Sequence, residues 1–254
     1  MKPAPVVEGV IFDVDGTLVD SERHGHRVAF NLAFEAFGLP YRWDEEEYGR
    51  LLRTTGGQRR IDGYLRAQGV TEQDRATLVP ALHARKTAMM TELIEDGRIE
   101  ARPGVKRLLA ELSAAGRRVA VATTGSRGWV ERMLAITLTD FSFEVVVTGD
   151  EVTARKPAPE AFAVALGRLG LPSGRAIAVE DSAEGLASAQ GAGLACVVVV
   201  NGYTMDHDLT SAELVLDGFG DPDQPARVLA DRVESGCNGV LDATTLTRIA
   251  SLAR

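Results

Sequence analysis

Cysteine is nearly absent from this 254-residue chain: Cys196 and Cys237 are the only two, and they share no paired spacing. That scarcity argues against a disulfide framework or a zinc ribbon and points to a reducing compartment. Basic charge is also short. Lysine and arginine total 28 against 36 acids, a net charge of −8 with no basic tail, which is a poor footing for general nucleic-acid binding. No apolar run approaches the ~18 residues of a membrane span. Met1 to Pro5 carry no signal-peptide pattern before the first apolar run begins. Internal repeats and low-complexity segments are missing. The expectation is a cytoplasmic protein with neither a nucleic-acid nor a membrane partner. Its 45% hydrophobic content suffices for one large domain or two.

The order of patterns along the chain predicts an α/β fold. Val6, Val7, Val10, Ile11 and Phe12 read as a buried strand. Arg118–Ala122, Val145–Val147, Ala176–Val179 and Cys196–Val200 are further short Val/Ile/Ala runs. Between them lie helical patterns. Pro103-Gly104 opens one, with Val105, Leu108, Leu109 and Leu112 on one face and Gly116 at its end. Pro159 opens another, with Phe162, Ala165, Leu166 and Leu169 on one face and Gly170 at its end. Strands alternating with helices predict βαβ units and a parallel sheet. From Ser21 to about Glu100 the texture is helical, with stripes such as Phe30, Ala33, Phe34 and Phe37, and Leu51, Leu52, Ile61, Leu65, Leu78 and Leu82. This predicts an all-helical domain over 21–100, inserted after the first strand and covering the strand ends, with residues 1–20 and 101–254 as the core. The tail from Pro222 reads as loop plus a terminal helix, Leu241 to Leu252.

Chemistry concentrates at predicted strand ends. Asp13 and Asp15 stand one residue apart before the turn Gly16-Thr17. Strand ends in open α/β sheets are where ligands bind. Two carboxylates so close repel unless something neutralises them, and a hard divalent cation does so most simply. Thr123-Thr124-Gly125-Ser126 follows a second strand and offers hydroxyls and backbone N–H groups to an anion. Lys156-Pro157 follows a third, and Glu180-Asp181-Ser182 ends a fourth, with Ser182 also placed to cap the next helix. Each signal alone fits a turn, a cap or a solvated surface. Together, if the strands are parallel neighbours, they put metal-binding acids, a cation and anion donors into one crevice suited to phosphoryl transfer.

The set Asp13-Val14-Asp15-Gly16-Thr17, Thr123, Lys156 and Glu180-Asp181 resembles the four motifs of haloacid dehalogenase-like hydrolases. The resemblance implies a Rossmann-like parallel sheet core, with the helical insert as the cap of the β-phosphoglucomutase-like branch. Trp43-Asp44, Glu47-Tyr48-Gly49-Arg50-Leu51-Leu52, Thr55-Gly56-Gly57, Leu82-His83, Lys86-Thr87, Leu93-Ile94, Arg102-Pro103-Gly104-Val105 and Val119–Thr124 are most similar to CbbY-type phosphatases. What that implies is a Mg²⁺-dependent phosphatase acting on xylulose 1,5-bisphosphate, an inhibitory by-product of the carbon-fixing carboxylase. Cap-bearing relatives of this kind imply a monomer. By the same resemblance Asp13 is the nucleophile that forms an aspartyl-phosphate, and Asp15 is the general acid and base. Asp13, the Asp15 carbonyl and Asp181 hold Mg²⁺, with Glu180 either a ligand or a neighbour of one. Thr123, the Thr124 N–H and Lys156 hold the phosphoryl group. A phosphosugar mutase uses the same motifs, and a silent phosphometabolite-binding protein shares the scaffold.

Substrate choice points to the insert. Gly49 to Arg66 hold Arg50, Arg53, Arg59, Arg60 and Arg66 against the single acid Asp62. A solvated helix face accounts for two or three of these. Thr55, Gly56 and Gly57 before Arg59 and Arg60 suit a second phosphate, and Lys86 is a further candidate. Glu22 and His26, four apart on a predicted helix, share a face. Such a histidine is commonly structural, but the resemblance directs it toward sugar hydroxyls or Asp15, ahead of His24. Trp43 and Tyr48 read as cap core. Gly191-Ala192-Gly193 imitates part of a dinucleotide fingerprint but precedes a strand instead of following one.

Overall fold

The computed structural model describes residues 7–54 and 56–253; Met1–Pro5, Val6 and Thr55, all used above, lie outside the described residues. In chain order, β1 (Gly9–Phe12) is followed by a π-wound segment (Glu22–His26) and helices α1 (Arg27–Ala36), α2 (Glu45–Leu52), α3 (Gly57–Ala67) and α4 (Glu72–Glu95). Then come α5 (Val105–Ala114), β2 (Arg118–Ala122), α6 (Arg127–Thr137), β3 (Val145–Val147), α7 (Glu160–Leu169), β4 (Ala176–Glu180), α8 (Ala183–Gly191), β5 (Ala195–Val199), β6 (Leu214–Leu216), β7 (Val228–Asp231) and α9 (Ala243–Leu252). The chain divides into two compact units. One runs to Asp20 and resumes at Glu100; the other is Ser21–Ile99.

The first unit is built on a seven-stranded sheet in the order β3-β2-β1-β4-β5-β6-β7. All pairings are parallel except β6 with β7. In register, Ile11 lies between Ala120 and Ala178. β1 and β4 are buried throughout, as parallel strands covered on both faces must be. The predicted apolar faces of α5 and α7 are buried along their whole length. On one side of the sheet Phe162, Ala165, Leu166 and Leu169 pack with Ile11, Ala120, Ala178 and Cys196. The order brings the carboxyl ends of β3, β2, β1 and β4 side by side, which are the four strands whose ends carry the predicted chemistry.

Three readings need correction. The fifth predicted strand sits one residue earlier, at Ala195–Val199, and the fourth extends to Glu180. The tail from Pro222 is more than loop and helix, because β7 pairs antiparallel with β6 and closes that side of the sheet. β7 has three exposed residues out of four, so no buried alternation betrays it in sequence. Its start is fixed by tertiary contacts: Asp217 accepts hydrogen bonds from the Arg227 N–H (2.8 Å) and Nε (2.6 Å).

The second unit is all helical among its described residues. Its core is aromatic. Trp43 lies 4.8 Å from Phe30, 4.9 Å from Phe34 and 5.1 Å from Tyr64, ring centre to ring centre. Phe30, Ala33 and Phe34 are buried as expected, but Phe37 just beyond the end of α1 is 41% exposed. Ile61, Leu65 and Leu82 are buried. The segment Glu22–His26 departs from the predicted α-helix: the Arg27 N–H donates to the Glu22 carbonyl, a π-type spacing.

Candidate active site

At the end of β1 the chain turns sharply. The N–H groups of Leu18 and Val19 donate to the Val14 carbonyl, and the Gly16 N–H donates to Val19. This closes a tight loop that holds the partly exposed Asp15. Gly16 has φ +83°, and a Cβ there would sit 2.4 Å from Asp181 Oδ2, so only glycine lets the loop pass the Asp181 carboxylate. Asp13 itself is 6% exposed. Lys156, after β3, donates from Nζ to Asp13 Oδ1 (2.6 Å) and to Glu180 Oε1 (2.5 Å). Glu180 Oε2 accepts from the Asp181 N–H (3.2 Å). Thr123, buried at the end of β2, accepts at Oγ1 from the Gly125 N–H (3.2 Å). Ser182 caps α8 by accepting from the Gly185 N–H, as its position suggested.

Asp13, Glu180 and Asp181 each bring a carboxylate oxygen within 4.8 Å of the others, and all three are buried. Burial raises the pKa of Asp13, although Lys156 opposes it. Burial also pushes Glu180 up to about 7, against the pull of Lys156. Asp181 is raised well above its ordinary value by burial and then by repulsion from Glu180 and Asp13. Burial alone would lower the Lys156 pKa, but Asp13 and Glu180 outweigh it and raise it. The Lys156 ammonium, with the Arg102 guanidinium acting on Asp181 from farther off, therefore leaves the three buried acids raised. The all-oxygen donor set, with no imidazole or thiolate in it, fits a hard divalent cation. Glu180 has both oxygens engaged by Lys156 and the Asp181 N–H, so its part in such a site is to orient its neighbours as much as to bind.

Two residues of this site were not predicted as site residues. Asn201, after β5, donates from Nδ2 to Asp181 Oδ2 (2.7 Å), while its Oδ1 accepts from the Tyr203 N–H (2.8 Å). Arg102 is anchored against Gly16 and the end of β5. Neither belongs to a local pattern that marks a catalytic group. In sequence Arg102 stands out only as part of Arg102-Pro103-Gly104-Val105, and nothing before Asn201 foretells that β5 ends beside β4.

Within the helical unit the predicted residues separate into two sets. Tyr48 Oη donates to Glu22 Oε2 (2.5 Å), and Arg60 Nη1 to Tyr48 Oη (3.3 Å). Lys86 Nζ pairs with His26 Nδ1 at 2.7 Å. Arg60 and Lys86 are both buried and lie over the Phe30 ring at 5.9 and 5.1 Å. Burial, followed by the charges of Lys86 and Arg60, holds the His26 pKa well below its usual value, which favours a neutral ring hydrogen-bonded to Lys86. Gly57 belongs here too, since a Cβ on it would meet the His83 ring at 2.8 Å. Tyr48 is thus core with a polar tip, and Trp43 is core. Arg59, one position from Arg60, is exposed, as are Gly56, Arg53 and His24. Arg50 pairs with Glu46, and Arg66 with Asp62, one helical turn away. A groove of about 380 Å³ lined by Arg27, Asn31, Tyr41 and Arg42 contains none of the predicted substrate residues. Gly191 and Gly193 end α8 and lead into β5, as expected of a turn.

Comparison with known proteins gives a consistent family. The model of haloacid dehalogenase-like hydrolases matches residues 7–193. Protein CbbY of Cereibacter sphaeroides is 42% identical over 220 residues, 85% of this chain and 94% of that protein. The CBBY-like protein of Arabidopsis thaliana is 37% identical over 84% of this chain and 69% of its own length. Among solved structures, CbbY from Rhodobacter sphaeroides, as an Asp-to-Asn mutant in complex with xylulose 1,5-bisphosphate, superposes with a TM-score of 0.72 at 40% identity, covering 84% of this chain and 94% of that one. A putative β-phosphoglucomutase from Thermotoga maritima gives 0.65 at 25% identity, over 82% and 93%.

Proposed function

The chain belongs to the haloacid dehalogenase-like hydrolases and is a phosphatase of that family, and on that footing we propose that it hydrolyses a sugar bisphosphate of the xylulose 1,5-bisphosphate kind through an aspartyl-phosphate. The observation that carries the reading is the Asp13–Lys156–Glu180 chain beside Asp181, a buried acid cluster at the ends of the neighbouring strands β1 and β4 held by one cation from the loop after β3.

Asp13 attacks phosphorus, forming a P–O bond as the bond to the sugar oxygen breaks. Asp15 gives that oxygen its proton. In the second half Asp15 takes a proton from water, which attacks the phosphoaspartate and releases phosphate. Lys156 holds the Asp13 carboxylate and faces the incoming phosphoryl charge. Thr123 and the Thr124 N–H receive its oxygens. Asp13, Asp181 and the Asp15 carbonyl, with Glu180 beside them, would hold Mg²⁺, which would supply the positive charge that lets an anionic nucleophile approach an anionic ester. In the helical unit the buried cations Arg60 and Lys86, bonded into one cluster with Tyr48, Glu22 and His26, favour a second anionic group. Glu22 and His26 are suited to sugar hydroxyls. Gly56, Gly57 and Arg59 remain candidates through their position at the start of α3.

The test is phosphate release with Mg²⁺ from xylulose 1,5-bisphosphate, phosphoglycolate and β-glucose 1-phosphate. A preference of at least about tenfold in kcat/KM for the bisphosphate supports the reading. Isomerised monophosphate with little free phosphate would make the chain a mutase, and no turnover of any ester would leave a binding protein.

A further inference from the structure

One partly buried cation of the core unit, Arg102, takes no part in the proposed chemistry. The Arg102 guanidinium donates from Nη1 to the carbonyls of Gly16 (2.5 Å) and Val199 (2.8 Å), and from Nη2 to that of Val200 (2.6 Å). Its side chain lies over the Phe219 ring at 5.7 Å. Among the described residues no carboxylate lies in ion-pair contact with it. Holding a partly buried guanidinium on three backbone carbonyls costs desolvation that the more distant Asp181, Asp20 and Asp217 offset only in part, and a simple stability role would meet it more cheaply with an apolar side chain. The three carbonyls are also informative. One belongs to the residue next to Asp15, and the other two belong to Val199, which ends β5, and to Val200, which leads into Asn201.

Asn201 completes the connection. Its Nδ2 donates to Asp181 Oδ2 (2.7 Å) and reaches the same Gly16 carbonyl at 3.4 Å. The Arg102 backbone N–H donates to the Leu18 carbonyl (2.9 Å), at the far end of the loop. The Asp15 loop is therefore held at Gly16 by two side chains from separate elements, and at Leu18 by the backbone of one of them. We propose that Arg102, assisted by Asn201, is a positioning residue for proton transfer: it fixes the Gly16 carbonyl to the end of β5 and so sets where Asp15 stands relative to Asp13 and Asp181. A displacement of about 1 Å in such a group is enough to cost on the order of 100-fold in rate.

This rests on the phosphatase reading with Asp15 as proton carrier, and the experiment separates the two. Asp13 phosphorylation is followed by rapid quench for the wild type, Arg102→Lys and Asn201→Ala, with a sugar phosphate and with 4-nitrophenyl phosphate. The nitrophenolate leaves without needing a proton, so it bypasses Asp15 in this step. Arg102→Lys keeps the charge but cannot span three carbonyls. It should slow phosphorylation by the sugar phosphate roughly 10- to 100-fold. The 4-nitrophenyl phosphate step should change less than about threefold, and KM for the sugar phosphate should move little. Asn201→Ala should show the same selectivity with a smaller loss, and it decides the matter if the Arg102 variant does not fold. Equal losses on both substrates, or no loss on either, overturn the inference and leave Arg102 a structural staple. If the wild type forms no phosphoenzyme with either substrate, the phosphatase reading fails and the inference falls with it.

Discussion

Lys156 and Asp13, 143 residues apart in sequence, meet through a 2.6 Å hydrogen bond in the interior of the core unit. Glu180 takes another proton of the same ammonium at 2.5 Å. The carboxylate proposed as nucleophile is thus oriented by a cation that is itself held from its other side.

Asp13→Asn keeps the shape of the side chain and removes the nucleophilic charge. Phosphate release should become undetectable while the circular-dichroism melt stays within a few degrees of wild type. Substantial residual turnover would show that another group attacks phosphorus.

Lys156→Met leaves Asp13 and Glu180 facing each other without their cation. Removing one partner of a buried ion pair costs roughly 3–5 kcal/mol, a fall in Tm on the order of 10 °C for a chain of this size. Mg²⁺ should recover more stability in the variant than in the wild type, because it restores the lost charge. A calorimetric melt with and without Mg²⁺ measures this, and an unchanged Tm in the metal-free variant would refute the electrostatic account.

In the metal-free protein burial pushes the Glu180 pKa up to about 7, against the pull of Lys156. An acid raised above its unfolded value holds its proton more tightly when folded. Its contribution to stability is therefore complete at low pH and fades as pH rises toward 7. A cation competes with that proton. The Tm increase produced by a fixed Mg²⁺ concentration should be larger at pH 8 than at pH 6, and titration calorimetry should show proton release near pH 7. Pronounced Mg²⁺ stabilisation at pH 6 with none gained at pH 8 would contradict it.

Gly185→Ala tests the seat of Glu180. A Cβ there would lie 1.9 Å from Glu180 Oε2, so the carboxylate must move and Lys156 with it. Alanine usually favours a helix, yet this substitution should lower both Tm and kcat, the latter by about tenfold or more. A more stable, fully active variant would mean that the Glu180 position is unimportant.

Lys86→Met addresses the helical unit. Losing a charged hydrogen-bond donor to a phosphate is worth about 1.5–3 kcal/mol, or roughly 10- to 150-fold. That loss should appear in KM for the bisphosphate, with much less effect on a monophosphate such as phosphoglycolate. Equal effects on both esters would remove Lys86 from recognition of the second phosphate.

The residues that meet in the candidate site were legible because the physics behind them is local. Asp13, Thr123, Lys156 and Glu180 each follow a short apolar run, and a strand buried on both faces must be written as such a run. The interruption of that alternation after Asp20 likewise marked the helical insert. Composition excluded membrane spans and disulfide scaffolds by the same direct reasoning. The arginines of α3 were legible only as an excess. Periodicity did not say that Arg60 turns inward to Tyr48 while Arg59 stays exposed, because that depends on where Phe30 and Tyr48 pack.

Tertiary structure alone decided the rest. The order β3-β2-β1-β4 is a property of crossovers, and it makes four separate signals one site. β7 is an exposed edge strand that exists only because β6 offers it a partner and Asp217 fixes Arg227. Arg102 and Asn201 carry no local mark, since their roles consist of bonds to Gly16, Val199, Val200 and Asp181, 20 to 98 residues away. A sequence encodes burial and turns at short range, whereas the partner of a side chain is chosen by whatever the fold brings beside it.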